Sequence, residues 1–136
     1  MQQPIVISGA GILGCYISCA LSLQGIDSIV LEKKDDEVED SVRTITLNPF
    51  SKNLLDKIGI ENDYSMINKM EVKDFDGTGK IVFKSSEIGM DHLAYVSDFA
   101  TLLMAVRKKA SEKILYKEEI IDIDNKGDLN KVTLSS

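Results

Sequence analysis

The sequence predicts a mixed α/β fold, and three features near the amino end indicate it. The apolar run 4–8 leads into the segment 9–14, which has the spacing Gly-x-Gly-x-x-Gly. A stretch with apolar residues three and four apart follows, and 18 residues beyond Gly14 the apolar run 28–31 ends in Glu32. A buried strand, a helix and a second strand in this order predict a Rossmann-like βαβ sheet.

The glycine turn has the physical features of a diphosphate site. Gly9 permits a tight turn, Gly11 has no Cβ to block phosphates, and Gly14 lets the helix lie close on the neighbouring strand. Unpaired N–H groups at the start of the helix, together with the helix dipole, attract an anion without a charged side chain. We therefore expect a dinucleotide to contact the whole turn, that is Gly9, Ala10, Gly11, Ile12, Leu13 and Gly14.

Glu32 is the expected ribose contact, because it directly follows an apolar strand and a carboxylate at this position accepts a ribose hydroxyl. The acid disfavours a ribose 2′-phosphate, although Lys33 and Lys34 leave that question open. Lys33 is included in the predicted cofactor site. The alternatives are that Glu32 begins a solvated charged loop and that the glycines form an ordinary turn in a non-binding domain.

The predicted first helix has a face that we expect to pack on the sheet, and Gly25 is its expected C′ stop. This face carries Leu13, Ile17, Ala20 and Leu21.

Two cysteines on this helix, Cys15 and Cys19, could in principle share a metal. His92 is the single histidine, so we expect two small buried hydrophobic residues instead. No set of Ser, His and Asp or of Cys and His can be assembled, and no catalytic residue or metal site is predicted.

The second half of the predicted fold begins with an acidic surface loop at 35–40 and an extended run at 41–47. Asn48 is an expected N-cap and Pro49 the first residue of a helix that ends at Gly59. This helix is expected to bury Leu54, Leu55 and Ile58.

A hairpin is predicted from the runs 70–75 and 80–84, which flank the turn 76–79 and insert a second layer into the fold. A strand at 93–96 and a cap at Asp98 precede a helix at 99–110. We then expect a third parallel strand at 114–116 and a hairpin from 119–123 and 131–134. The expected inner face of the helix at 99–110 comprises Leu102, Leu103 and Val106.

Composition narrows the function classes. The 136 residues are enough for one domain with its own core, and the net charge of −6 argues against nucleic acid as a partner. No apolar run approaches the roughly 18 residues that a membrane-spanning helix needs. No leader peptide is recognisable either, so we expect a cytoplasmic protein.

Five segments together resemble the amino-terminal region of flavin-dependent aromatic hydroxylases, and most closely the ubiquinone-biosynthesis hydroxylases related to 2-octaprenyl-6-methoxyphenol hydroxylase. The first is the glycine motif with Glu32, and the second is Asp-x-x-Arg-x-x-x-Leu-x-x-x-Ser at 40–51, which contains Arg43. The others are the segments 54–60, 72–77 and 93–96.

The resemblance implies that FAD is held mainly by its ADP half, at the glycine turn and Glu32, with Arg43 also contacting the cofactor. The alternative for Arg43 is a surface cation that offsets the acidic loop. Family members use NAD(P)H as a transient reductant and oxygen to hydroxylate a phenolic ring. The ubiquinone-pathway resemblance also suggests peripheral association with the inner membrane.

The chain departs from the family in its later motifs. Complete members carry an Asp-Gly pair and a Gly-Asp motif further on, and neither motif is identified in this sequence. The pair Asp76-Gly77 is not assigned this role, because it occurs too early and in a predicted hairpin turn. Phe99 and Ala100 stand where relatives offer polar side chains to the flavin. Residues 1–136 are therefore predicted to be the amino-terminal part of an FAD/NAD(P)-binding domain, incomplete relative to the family fold and inactive alone.

The predicted truncation is either artificial or encoded by a shortened gene. Besides the dinucleotide, the expected partners are a missing carboxy-terminal half or a second copy of the chain. Two alternatives remain. One is a free-standing dinucleotide-binding or sensing module, and the other is a non-catalytic remnant that pairs with a separately encoded remainder.

Overall fold

A computed structural model describes residues 3–39 and 42–136. Asp40 and Ser41, where the predicted acidic loop ends and the next extended run begins, lie outside the described residues. Two compact units are present, one formed by Met1–Asp40 and Leu102–Ser136 and the other by Ser41–Thr101. The helices and strands follow in the order β1 (Ile5–Ser8), α1 (Ile12–Leu23), β2 (Ser28–Glu32), β3 (Thr44–Leu47), α2 (Pro49–Lys57), β4 (Ser65–Ile67), β5 (Lys69–Lys73), β6 (Lys80–Lys84), β7 (Ala94–Asp98), α3 (Phe99–Lys109), β8 (Ile114–Tyr116), β9 (Ile120–Asp124) and β10 (Lys131–Leu134).

The first unit contains the predicted βαβ arrangement. Its three-stranded sheet has the order β1-β2-β8, and both strand pairs are parallel. The third parallel strand at 114–116 and the antiparallel hairpin of β9 and β10 are thereby confirmed. The central strand β2 is apolar because it is enclosed, with Val30 fully buried and Leu31 3% exposed.

Strand β1 is less buried than the sequence suggested. Its residues Ile5 and Val6 remain 44% and 37% exposed. The strand lies at the edge of the described sheet and pairs there only with β2, so one of its sides lacks a neighbouring strand. The expectation of a buried first strand was therefore wrong.

Helix α1 packs against β1 and β2 through a face that agrees only in part with the predicted one. Of the predicted residues, Ala20 and Leu21 are partly buried. Leu13 is 70% exposed and Ile17 38% exposed, whereas Cys15 and Ser18 are fully buried. The buried Oγ of Ser18 lies 2.8 Å from Oγ of Ser28 on β2, which satisfies both hydroxyl groups. Small side chains face the sheet because the helix approaches it closely, so the prediction that Leu13 and Ile17 face inward was wrong.

The carboxyl end of α1 agrees with the sequence. Gly25 has a φ of +71°, a conformation that glycine adopts without strain. Its N–H donates to the Ser22 carbonyl, and the N–H of Ile26 donates to the Leu21 carbonyl. This pair of hydrogen bonds is a Schellman motif, and it confirms Gly25 as the helix stop.

The two cysteines on α1 differ in their surroundings. Burial raises the pKa of the Cys15 thiol to about 11, and burial also raises the pKa of the Cys19 thiol. Cys15 is fully buried while Cys19 is only partly so. The expectation of a small buried hydrophobic residue is confirmed for Cys15 and holds only in part for Cys19.

The second unit contains a three-stranded antiparallel sheet with the order β3-β7-β4, on which α2 packs. The Oδ1 of Asn48 accepts the Ser51 N–H at 2.8 Å, which confirms the predicted N-cap. On the inner side of α2 Leu55 is 4% exposed, and Ile58 just beyond its end is equally buried. Leu54 is only partly buried.

The predicted hairpin is present as β5 and β6, which pair in antiparallel fashion. Its apolar side chains remain largely exposed, among them Val72, Ile81 and Phe83. The carboxylate of Glu71 lies within ion-pair distance of three lysines, namely Lys69, Lys73 and Lys80. These contacts lower the pKa of the Glu71 carboxyl group, mainly through the bond from Lys80.

Helix α3 begins directly after β7. The Oδ1 of Asp98 accepts the Thr101 N–H at 2.7 Å, which confirms the predicted cap. Leu102 and Val106 are fully buried and Leu103 is 9% exposed, as predicted. Among residues 3–39 and 42–136, none of the helices is long and apolar enough to span a membrane.

A stability prediction follows from the close approach of α1 to the end of β1. A Cβ at position 14 would overlap the carbonyl oxygen of Gly9, which is backbone and cannot move aside cheaply. We expect Gly14→Ala to lower the free energy of unfolding by about 2 kcal/mol. Urea denaturation followed by circular dichroism measures the change.

Gly127→Ala is the matched control for this substitution. A Cβ at Gly127 would lie 3.7 Å from the nearest atom, the carbonyl oxygen of Leu129, which is ordinary contact. We expect the control to change the unfolding free energy by no more than about 0.5 kcal/mol. Equal stabilities of the two variants would contradict the steric role of Gly14.

Candidate functional site

The glycine turn joins the carboxyl end of β1 to the amino end of α1. Gly9 has a φ of +102°, which only glycine tolerates readily, and its N–H donates to the Leu31 carbonyl at 2.7 Å. Gly11 is the N-cap in an extended conformation. The hydrogen bond to Leu31 ties the turn to the neighbouring strand β2, so both strands support it.

The space beside the turn is open at Gly11 and closed at Gly14. A Cβ built on Gly11 would meet no atom within 4 Å. One built on Gly14 would overlap Gly9 and also approach Cγ2 of Ile7 to 3.4 Å. Gly14 therefore allows the helix to begin against the strand, while Gly11 leaves room for a ligand at the helix start.

The amino end of α1 is free of acidic side chains and of a side-chain cap. The first turn is closed by the Cys15 N–H, which donates to the Gly11 carbonyl at 3.0 Å. The N–H groups before Cys15 have no intrahelical acceptor, and the helix dipole makes this end positive. The arrangement can therefore bind an anionic group such as a diphosphate through the backbone.

Glu32 is the last residue of β2, and its carboxylate points back at the turn. Its Oε2 accepts the Ala10 N–H at 3.0 Å, and its Oε1 accepts the Lys34 N–H at 3.0 Å. The side chain is only 13% exposed, which does not fit the alternative of a solvated loop residue. A carboxylate accepts about four hydrogen bonds, so Glu32 retains capacity for a ribose hydroxyl.

Arg107 on α3 is a site residue that the sequence analysis missed. Its Nε donates to the Ala10 carbonyl at 2.9 Å, and its Nη2 lies 3.6 Å from Oε2 of Glu32. The guanidinium carbon also lies 5.7 Å from the ring centroid of Tyr116. Arg107 and Ala10 are 97 positions apart, so no local pattern could reveal this contact. The nearest signal is a cation directly after the inward-facing Val106.

The other predicted contact residues differ in exposure. Ile12 is partly buried, Leu13 is exposed at the start of α1, and Lys33 is exposed after β2. Arg43 belongs to the second unit, where its guanidinium carbon lies 4.3 Å from the ring centroid of Phe99. The cofactor contacts of all the predicted residues stay predictions, those of Lys33 and Arg43 as much as those of the glycine turn and Glu32.

His92 belongs to the second unit, where its Nδ1 lies 2.6 Å from Oδ1 of Asn68 and its ring packs edge-on against Tyr95. In the part of the chain that the structure describes, no group of three or more His, Cys, Asp or Glu residues could hold a metal ion.

Comparison with protein families gives a match over most of the chain. The model of a family described as FAD binding domain matches residues 2–125. The glycine turn, the start of α1 and Glu32 all lie within this range.

Solved structures of similar fold come from longer chains. The p-nitrophenol 4-monooxygenase PnpA of Pseudomonas putida DLL-E4 has a TM-score of 0.79 at 16% identity, over 98% of this chain and 36% of that one. PqsL of Pseudomonas aeruginosa, a probable FAD-dependent monooxygenase, has a TM-score of 0.77 at 19% identity, over 97% and 38%. HpxO of Klebsiella pneumoniae, complexed with FAD and uric acid, has a TM-score of 0.75 at 18% identity, over 98% and 35%. The chain thus spans little more than a third of each neighbour.

The open space at Gly11 generates a binding prediction. We expect Gly11→Val to abolish FAD and ADP binding, because the new side chain would occupy the space of the diphosphate. The fold should persist, since a Cβ at Gly11 meets no atom within 4 Å. Calorimetric titration measures the binding and circular dichroism the fold; unchanged affinity would contradict the diphosphate assignment.

The orientation of Glu32 generates a second prediction. We expect Glu32→Ala to weaken ADP binding by about 1–3 kcal/mol, because a charge-assisted hydrogen bond to the ribose is lost. Glu37→Ala is the control, since Glu37 is exposed in the same charged segment. An equally small effect of both substitutions would contradict the ribose contact of Glu32 and leave it a structural role at the turn.

Proposed function

Since the chain belongs to the FAD binding domain family, we propose that residues 1–136 are the amino-terminal FAD-binding part of a flavin-dependent monooxygenase that hydroxylates a phenolic ring. The observation that carries the proposal is the Glu32 carboxylate at the Ala10 N–H, beside the open space at Gly11. Backbone donors for a diphosphate and an acceptor for a ribose hydroxyl lie next to each other there, as the ADP half of FAD requires.

Each part of the turn has a defined task in this proposal. The N–H groups at the start of α1, from Gly11 to Leu13, bind the diphosphate. Glu32 accepts the ribose hydroxyl, and Gly9 and Gly14 hold the turn in the shape that exposes those N–H groups. Lys33 and Arg43 complete the proposed contact set, Arg43 on the strength of the family resemblance.

The chemistry of the proposed reaction belongs to the cofactor. When bound, FAD would supply the electron transfer from NAD(P)H to oxygen that the hydroxylation of a ring needs. The described residues of this chain bind and orient the ADP half of FAD, and we assign none of them a proton-transfer role. We therefore propose that residues 1–136 are inactive without a further part that encloses the flavin ring and the substrate.

The proposed substrate is a phenolic ring of the ubiquinone-precursor type. The segments 54–60 and 72–77 support it, because they resemble the ubiquinone-biosynthesis hydroxylases. A structural neighbour named for its action on p-nitrophenol supports the broader phenolic class.

A second candidate is a free-standing nucleotide module, either a sensor or a non-catalytic remnant that pairs with a separately encoded remainder. The glycine turn, Glu32 and Arg107 all lie in the first unit, which supports a module that binds a nucleotide by itself. The two candidates differ in which nucleotide they bind and in whether they become active when the remaining part of the protein is added.

Extraction of the bound nucleotide tests the proposal. We expect the purified protein, after denaturation and reverse-phase chromatography of the supernatant, to release FAD or its adenine-containing half. A Gly11→Val preparation, handled in parallel, should release none. A nicotinamide nucleotide as the sole tight ligand would contradict the flavin proposal and favour the sensor.

A mixing experiment then separates the enzyme part from the remnant. The chain is combined with a polypeptide that carries the later family motifs, and FAD and NAD(P)H are supplied. A yellow complex that oxidises NAD(P)H in response to a phenol supports the monooxygenase part. A yellow complex without that response supports the remnant.

A further inference from the structure

We infer that Arg107 is a positioning residue of the nucleotide site, which holds the Glu32 carboxylate in the orientation that receives the ribose 2′-hydroxyl. The inference rests on the proposed binding of a dinucleotide and adds a residue from outside the glycine motif. No Lys or Arg occurs between Met1 and Leu31, so the turn itself supplies no cation.

The geometry that carries the inference is a closed ring of three residues. The Ala10 N–H donates to Oε2 of Glu32 at 3.0 Å. The same Oε2 lies 3.6 Å from Nη2 of Arg107, and Nε of Arg107 donates to the Ala10 carbonyl at 2.9 Å. Both polar groups of the Ala10 backbone and one carboxylate oxygen are therefore fixed together.

The position of the ring is what relates it to a ligand. Ala10 lies between Gly9 and Gly11, so the ring includes the backbone that we propose to face the diphosphate. The other carboxylate oxygen, Oε1, accepts the Lys34 N–H at 3.0 Å. With one oxygen held by the turn and the other by the chain after β2, the carboxylate cannot rotate freely, and its remaining lone pairs keep a fixed direction.

Burial makes the attraction between the two charges effective. The side chains of Arg107 and Glu32 are only 12% and 13% exposed, so water screens the pair less than at a surface. Interactions that restrict a ligand-binding group in advance reduce the entropy that binding would otherwise cost. Arg107 can therefore raise affinity without touching the nucleotide.

The guanidinium also carries a cost that a purely structural side chain would avoid. Its Nη1 is buried and has no hydrogen-bond partner. An unsatisfied buried donor is unfavourable, and an apolar side chain of similar size would fill the space without it. The cost is understandable if the guanidinium is needed for the orientation of Glu32.

The test measures how well the site distinguishes ADP from 2′-deoxy-ADP, because a positioning role acts only on the hydroxyl that Glu32 accepts. Calorimetric titrations compare the unsubstituted chain, Arg107→Met and the control Lys108→Met, an exposed neighbour on the same helix. We expect the unsubstituted chain to bind ADP about tenfold more tightly than 2′-deoxy-ADP, the value of one charge-assisted hydrogen bond. Arg107→Met should reduce this ratio to about twofold, and Lys108→Met should preserve it.

Two results would overturn the inference. One is an unchanged ratio in Arg107→Met, even if both affinities fall, because a structural role weakens both ligands equally. The other is an Arg107→Met protein that has an intact circular dichroism spectrum but binds neither ligand. In this inference Arg107 acts only through Glu32, so its replacement cannot weaken binding more than the removal of Glu32 does.

A second variant covers the case in which Arg107→Met does not fold. Lysine at this position keeps the charge and the aliphatic stem but cannot reach the Ala10 carbonyl and Glu32 at once. Arg107→Lys is therefore also expected to reduce the ratio, and an unchanged ratio would overturn the inference. If the unsubstituted chain binds ADP and 2′-deoxy-ADP equally well, the inference is overturned and nucleotide binding stands. If it binds neither ligand, the proposed function itself fails.

Discussion

The carbonyl oxygen of Gly9 occupies the space in which any side chain at position 14 would lie, and this steric constraint fixes how α1 starts against β1. Because the helix begins so close to the strand, its first N–H groups are presented at the carboxyl end of the sheet, where they can meet a ligand. The same closeness explains the small residues on the inner face of α1. Cys15 and Ser18 fit there, and the hydroxyl of Ser18 reaches Ser28 across the interface.

The site combines two demands that oppose each other electrostatically. The helix start attracts an anion, whereas a ribose contact calls for a carboxylate close by. Glu32 meets both demands because its charge is directed at the backbone N–H of Ala10 and is paired with Arg107. The charge of this acid beside the turn is thus partly offset by the Ala10 N–H and by the Arg107 guanidinium.

Features set by local chemistry could be predicted from the sequence, and features set by distant packing could not. The caps at Asn48 and Asp98 and the glycine stop of α1 depend on neighbouring residues, so the helices they bound were predicted correctly. The inner face of α1 was predicted wrongly at Leu13 and Ile17, because the close approach at Gly14 favours small side chains such as Cys15 and Ser18 against the sheet. The spacing of the glycine turn and Glu32 indicated these two parts of the candidate site, which the Ala10 N–H joins. Arg107 is brought in by a helix 97 residues away, and no sequence pattern reports such a contact.

Cys15 closes the first turn of α1 through its N–H and buries its side chain completely, and this burial has a chemical consequence. With a thiol pKa of about 11, the group stays protonated under ordinary conditions. A protonated, enclosed thiol reacts slowly with peroxides, disulfides and alkylating agents, since the thiolate is the reactive form. At position 15 the packing of α1 on the sheet is therefore protected from thiol oxidation, whereas the partly buried Cys19 on the same helix is more accessible to oxidants.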